Sequence, residues 1–278
     1  PWPMLKLGSL RLPAPAVMGI LNVTPDSFSD GGRFDDRDAA MRQAETMAAE
    51  GASIIDIGGE STRPGSTGVS EQDEIDRVIP VIEAVRSVTS TPISIDTSKP
   101  GVMREAIAAG AVMINDVCAL REPGALEAAA ALGVPVCLMH MQGKPRSMQE
   151  APSYKDVVAE VAAFLDERVQ ACIDAGIDES LVIVDPGFGF GKAREHNVGL
   201  LANLRQCRVR GRPVLAGISR KSTLGDLTGR GVDDRMPASL AAAVIAVLNG
   251  ADIVRVHDVG PTVDALKVAE AVMGAQAQ

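Results

Sequence analysis

LVIVDPGFGFGK, residues 181–192, holds a short branched apolar run, a carboxylate where that run stops, and then three glycines interleaved with phenylalanine. Leu-Val-Ile-Val has no polar alternation, which suits a strand buried on both faces, as in a parallel sheet covered by helices. The same layout recurs at AVMGILNV (16–23), SIIDIGGE (53–60), TPISIDTS (91–98), AVMINDV (111–117), PVCLMHM (135–141), RPVLAGIS (212–219) and DIVRVHD (252–258). Between these runs lie segments with helical periodicity, among them AAMRQAETMAAEG, EIDRVIPVIEAVRSV, VVAEVAAFLDERVQACIDAG and ASLAAAVIAVLNG. Several close on glycine (Gly51, Gly110, Gly176, Gly250), the residue best suited to a left-handed helix cap. Pro100 and Pro261 sit where a first helical turn begins. Eight strand–helix units without a linker predict one α/β domain over residues 1–278, a single (β/α)8 TIM barrel, ahead of an open doubly wound sheet. LKLGSLRL (5–12) alternates about Gly8-Ser9 and predicts a short N-terminal β-hairpin that covers part of the barrel. The longest connections are expected after the first and second strands, as mobile covers for a site.

Composition narrows the function classes. Hydrophobic residues make up 46% of the 278 and aromatics only 3%, so aliphatic side chains and alanine must fill the core. A net charge of −9 argues against general nucleic-acid binding, although it is compatible with a local basic pocket for an anionic small molecule. Cys118, Cys137, Cys172 and Cys207 are scattered without a C-x-x-C pair, as expected of reduced thiols. His140, His196 and His257 lack the spacing of a zinc site. No apolar run is long enough to cross a membrane, and PWPMLKLGSL lacks a signal-peptide layout, so a cytoplasmic protein is expected.

In a barrel, residues at the C-terminal strand ends converge on one mouth. Those positions hold Asn22, Asp56 with Glu60, Asp96, Asn115 with Asp116, His140, Asp185, Ser219 with Lys221, and Arg255 with His257. A polar residue can merely mark where one apolar strand stops, but polar closure of every strand predicts a site. Asp96, Asn115 and Asp185 would match a flat heterocycle with N–H and amino donors, because a carboxylate accepts two parallel N–H bonds. Asn22, Arg63, Arg255 and His257 fall on strands that become neighbours on closure, and would suit an anion such as a diphosphate. An arginine within the run IVRVHD needs a partner. Ser61, Thr62 and Arg63 before Pro64 suit an oxyanion, and NVTPDSFSDGG reads as a flexible loop carrying one aromatic, Phe28. Lys221 could be a Schiff-base lysine or a hydrogen-bond donor, Ser222 opens a helix, and Arg220 is expected to face outward. The glycine run is not a phosphate cradle. Pro186 stands where the first P-loop glycine belongs, and Ala193 follows Lys192 where Ser or Thr is required.

GILNVTPDSFSDGG, DIGGESTRPG, SIDTSKP, INDV, MHMQG, DPGFGFGK, GISRKS and VRVHDV together resemble the bacterial dihydropteroate synthase family, in order from about Leu5 to Val272. The resemblance implies a barrel transferase, usually a homodimer, that uses Mg²⁺. It would join 6-hydroxymethyl-7,8-dihydropterin diphosphate to p-aminobenzoate by an SN1-like substitution and be a sulfonamide target. By motif, Asp96, Asn115, Val117, Met139, Asp185, Phe190, Gly217, Lys221 and Arg255 would bind the pterin. Asn22, Thr62, Arg63, Arg255 and His257 would hold the diphosphate, with Asn22 meeting the magnesium. Phe28, Thr62, Pro64, Phe190, Lys221 and Ser222 would form the p-aminobenzoate pocket, and Asp96, Asp185, Lys221 and Arg63 would carry catalysis. Arg194-Glu195 and Pro237 depart from the expected pattern without touching these residues. Two rival readings are a methyltetrahydrofolate:corrinoid methyltransferase, which has no use for a diphosphate set, and a silent pterin-binding paralogue.

Overall fold

A computed structural model describes residues 3–23, 33–62, 66, 68–144 and 148–276. Eight parallel strands form the barrel wall: β3 (Ala16–Asn22), β4 (Ile54–Gly58), β5 (Ile93–Asp96), β6 (Met113–Asp116), β7 (Val136–Met139), β8 (Val182–Asp185), β9 (Leu215–Ala216) and β10 (Ile253–Val256). The sheet order is β8-β7-β6-β5-β4-β3-β10-β9, and a parallel bridge from Val184 to Val214 brings its two ends together. Helices α1 (Arg33–Ala49), α2 (Glu71–Val88), α3 (Pro100–Ala109), α4 (Ala125–Leu132), α5 (Val157–Asp174) and α6 (Arg194–Ala202) follow the strands in turn. Two helices, α7 (Ser222–Thr228) and α8 (Met236–Leu248), follow β9, and α9 (Val259–Gln276) follows β10. The (β/α)8 reading is therefore right.

Local chemistry accounts for the ends of these elements. Ser70 caps α2 by accepting the Asp73 amide, and Asp156 caps α5 by accepting that of Ala159. Gly51, Gly110, Gly176 and Gly250 all take the left-handed conformation read from the sequence. Pro100 and Pro261 each lie in a first helical turn, and Pro237 stands at the start of α8.

Two apolar layers follow from the strand pattern. One fills the space between sheet and helices, where Ile55, Ile95, Val136 and Val184 of the strands share a core with Ile82, Val102 and Leu165 of the helical ring. The other lies inside the barrel. Met18, Ile54, Met113, Cys137, Ile183, Leu215 and Ile253 meet Leu7, Leu10 and Leu12 of the hairpin β1 (Met4–Leu7) and β2 (Leu10–Pro13). The predicted hairpin thus plugs the N-terminal end of the barrel and leaves the opposite end for a site.

One expectation fails. The longest connection among the elements runs from His140 to Asp156, between β7 and α5, not after the first or second barrel strand. Its described residues are anchored to the next strand's loop. Tyr154 donates to the Gly191 carbonyl (2.7 Å), and Gln149 pairs with the Lys192 backbone in both directions (3.1 Å each).

Candidate active site

The lower part of the mouth is an ion network built from charges set within apolar strands. Arg255 of β10 donates to Asp56 of β4 (2.7 Å) and to Asp96 of β5 (3.2 Å). Asp56 also accepts from Ser94 (2.5 Å) and from the Asn115 amide (3.0 Å), so it is the better-coordinated carboxylate. Asp96 has fewer donors. Burial first, and the neighbouring Asp56 charge second, push its pKa up to about 8, with Arg255 acting against the rise.

Above the network a cavity opens, lined by Thr62, Asp96, Asn115, Val117, Met139, Asp185, Gly187, Phe188, Phe190, Gly217, Lys221 and Arg255. Every residue assigned to a pterin from sequence is in this group. Asp185 ends β8 and accepts the Gly187 amide (2.8 Å); burial holds its pKa at about 6, against the lowering effect of that bond and of Lys221. Lys221 donates to the Phe188 carbonyl (2.8 Å) and lies 4.3 Å above the Phe190 ring. Burial, and then the Arg255 charge, lower its pKa to about 8. Among the described residues, the cavity therefore combines a buried and a nearly buried carboxyl, an amide, two cations and an aromatic wall, a set suited to a polar flat ring with an aryl neighbour.

Asn22 stands at the same barrel level as Asp96 and Asn115, through the register Asn22–Gly58–Asp96–Asn115. Gly58 in between leaves the approach open, since a Cβ there would lie 3.2 Å from that of Asp96. His257 does not line the cavity. Its Nδ1 faces the Ser219 hydroxyl at 2.9 Å, and burial, then the charges of Arg220 and Arg255, lower its pKa to about 4. At neutral pH it offers an anion a neutral ring. Ser222 is likewise outside the lining group. Phe28, Arg63 and Pro64 lie outside the described residues. The neck of the segment that carries Arg63 and Pro64 is described, and Glu60 joins the Val69 amide (2.9 Å) to Lys99 (2.6 Å) there.

Residues 18–257 match the family described as pterin binding enzyme. The chain is 54% identical over 268 residues to the dihydropteroate synthase of Escherichia coli K12, covering 96% of this chain and 95% of that one. The chain belongs to the dihydropteroate synthase family of pterin-binding enzymes. It also matches the Yersinia pestis dihydropteroate synthase solved with a sulfonamide drug complex, at TM-score 0.92 and 50% identity over 98% of this chain and 99% of that one. The Xanthomonas albilineans dihydropteroate synthase in complex with 7,8-dihydropteroate is similar at TM-score 0.88 and 52% identity, with the same coverage. As a dihydropteroate synthase the protein is a transferase.

In this synthase one strand-end reading changes. His140 turns away from the mouth, bonding Lys192 (2.9 Å) and packing edge-on against Phe164 of α5 (4.9 Å between centroids). Burial, then the Lys192 charge, lower its pKa to about 3. Arg255, read for both the ring slot and the anion, has much of its guanidinium committed to Asp56 and Asp96. The partner demanded for an arginine in a β-run is Asp56, and the readable signal was a second charge within an apolar strand, SIIDIGG. Lys192 and Asn197 were missed altogether. Asn197 accepts the Gly189 amide (2.9 Å) and donates to Thr223 (2.9 Å), tying the glycine loop to α7. Arg220 is partly exposed and pairs with Asp258 (2.8 Å), as expected. Among the described residues, no helix is long and apolar enough to cross a membrane.

The raised Asp96 pKa has a measurable consequence. The carboxyl keeps its proton up to about pH 8 in the fold but loses it near its ordinary value of 3.8 when unfolded. The fold therefore binds more protons between those limits and loses stability as pH rises through them. Asp96→Asn stays neutral throughout. Its Tm should exceed that of the wild type by a margin that widens from about pH 5 to about pH 8 and then levels. Thermal melts at matched ionic strength check this, and a margin independent of pH would mean that Arg255 keeps Asp96 ionised.

Proposed function

We propose that the protein joins 6-hydroxymethyl-7,8-dihydropterin diphosphate to p-aminobenzoate, forming 7,8-dihydropteroate and diphosphate. The observation that carries this reading is the convergence of Asp96, Asn115 and Asp185 with Lys221 and Phe190 on one cavity. Two buried carboxyls held above their ordinary range gain most from a ligand that brings N–H donors, because such bonds favour the charged form. The amino-pyrimidine edge of a pterin supplies them. Asn115, Val117, Met139 and Gly217 complete its slot, and Arg255 lies beneath it. Phe190, Lys221, Ser222 and Thr62, with Phe28 and Pro64, would then hold the aryl amine, and sulfonamides would compete there.

An aryl amine is neutral at pH 7, so its nitrogen needs no general base. The C–O bond to diphosphate breaks, the C–N bond forms, and the amine proton passes to solvent. Asp96 and Asp185, ionised by the bound ring, would stabilise positive charge developing on the pterin methylene carbon, which favours an SN1-like order of events. Thr62, Arg63 and His257 would take the departing anion, with Arg255 contributing from below. Mg²⁺ bound to the diphosphate would supply charge neutralisation to the leaving group. Among the described residues no group of three His, Cys, Asp or Glu could cage a metal. Asn22 offers one hard oxygen at the level of Asp96, which suits an ion that keeps its waters and binds mainly through substrate phosphates.

A homodimer in the cytoplasm fits the same reading. Exposed apolar side chains gather on α8 (Ile245, Leu248), on and beyond α7 (Leu227, Val232) and on α9 (Val268, Val272), and the four cysteines are free. A monomer in sedimentation at micromolar concentration would count against the dimer. The activity is tested by supplying both substrates with and without Mg²⁺ and measuring dihydropteroate by chromatography and diphosphate by a coupled assay. Equal yields of the two products are expected, with Mg²⁺ increasing the rate. No product under either condition sinks the proposal.

A further inference from the structure

Beneath the loop 186–191 lies a lysine that no proposed step uses, its pKa lowered to about 7 by burial. Lys192 is 1% exposed. Its ammonium meets the Gly187 carbonyl at 2.8 Å, the Phe190 carbonyl at 3.0 Å and His140 Nδ1 at 2.9 Å. An ammonium has three protons, and here four acceptors lie within reach, the His140 carbonyl the farthest at 3.5 Å. Among the described residues, no carboxylate forms an ion pair with it.

The loop needs such support. Gly187, Gly189 and Gly191 have φ of 72°, 80° and 66°, so alternate residues are left-handed, and the loop closes one backbone bond of its own, from the Phe190 amide to the Gly187 carbonyl (3.1 Å). A Cβ on Gly187 or Gly191 would run into the carbonyls of His140 or Gln142, so the loop presses directly on the end of β7. Side chains from outside the loop take up its polar groups. Lys221 takes the Phe188 carbonyl, Tyr154 that of Gly191 and Asn197 the Gly189 amide, whereas Lys192 alone holds two carbonyls, those on either side of the Phe188-Gly189 tip.

We propose that Lys192 is a positioning residue for the aryl slot: its buried ammonium fixes the Gly187 and Phe190 carbonyls and so holds the Phe190 ring beneath Lys221. The proposal rests on the assignment of Phe190 and Lys221 to the p-aminobenzoate pocket. Asp96 and Asn115 reach the pterin from β5 and β6 without this loop, and only Asp185, which accepts the Gly187 amide, ties the pterin side to it. Loss of the ammonium should therefore fall mainly on the aryl substrate.

Lys192→Met removes the three donors while keeping most of the side-chain volume. The variant should raise the KM for p-aminobenzoate by about tenfold, the scale of one charge-assisted hydrogen bond, and shift the KM for the pterin diphosphate by less than about threefold. Lys192→Gln, which retains a donor, should fall between the variant and the wild type, and it carries the same test if Lys192→Met does not fold. Loss of active protein alone would lower the apparent kcat and leave both KM values unchanged, and that result overturns the proposal. Hydrogen–deuterium exchange of the free protein supplies a readout that needs no substrate: amides of 187–191 should exchange faster in the variants and those of β8 should not. A wild type without activity would refute the proposed reaction, yet exchange would still judge Lys192. Unchanged exchange in the loop overturns its role.

Discussion

Asp185→Asn is expected to lower kcat/KM by about 10³-fold while leaving Tm within a few degrees of the wild type. The size follows from what the side chain would do to a bound pterin. A carboxylate offers acceptors only, so two parallel N–H donors can both be met. An asparagine keeps one acceptor and turns an N–H₂ toward the second donor. Losing a hydrogen bond to a charged group and leaving a buried donor unpaired each cost roughly 2 kcal/mol, and about 4 kcal/mol together corresponds to about three powers of ten. Stability should change little because the asparagine oxygen can still accept the Gly187 amide, the local bond Asp185 makes at 2.8 Å. The carboxyl is also buried and held at about 6, so replacing it by a neutral group relieves a desolvation penalty at neutral pH. Steady-state kinetics and a thermal melt on one preparation check both halves. Full activity would remove Asp185 from the ring slot, and a Tm drop beyond about 10 °C would make it a structural residue.

Arg255→Met should be destabilising as well as inactive. Asp56 is completely buried and Asp96 nearly so, and Arg255 contacts both, at 2.7 and 3.2 Å. Removing one partner of a buried pair strands a charge and costs about 3–5 kcal/mol, whereas removing both can be close to neutral. For a chain of this size that is a fall in Tm on the order of 10 °C. Adding Asp56→Asn to Arg255→Met should recover much of the loss without restoring activity, because the stranded charge is gone and the slot is still altered. Calorimetry on the single and double variants decides it. A double variant no more stable than Arg255→Met would show that Asp56 does not depend on the guanidinium, and that Ser94 and Asn115 suffice to hold it.

Much of the site was legible because a barrel converts a one-dimensional fact, the residue that closes each strand, into a three-dimensional one. Asp96 and Asn115 are register partners, and Asp185, two residues beyond the register partner of Asn115 on β8, joins them at the same mouth. The same rule misplaced His140. It closes β7 like the others, yet the side chain of a residue just past a strand can turn to either layer, and here Lys192 and Phe164 provide the better environment. The rule also left the partner of Arg255 open, since a sequence shows that a buried arginine needs a partner but not that Asp56, 199 residues away, supplies it. The connection after β7 was under-weighted for a similar reason: its length is local, while its anchors, Gly191 and Lys192, lie on the next strand's loop.

The amino-acid sequence by itself determined the barrel, the N-terminal hairpin and the family, since apolar runs, glycine caps and ordered motifs are local or additive signals. Only the tertiary structure decided how the charges inside it are shared. Which carboxyl takes the arginine, which keeps a proton and which lysine lies under the glycine loop depend on distances between strands and on the removal of water, and neither is written along the chain.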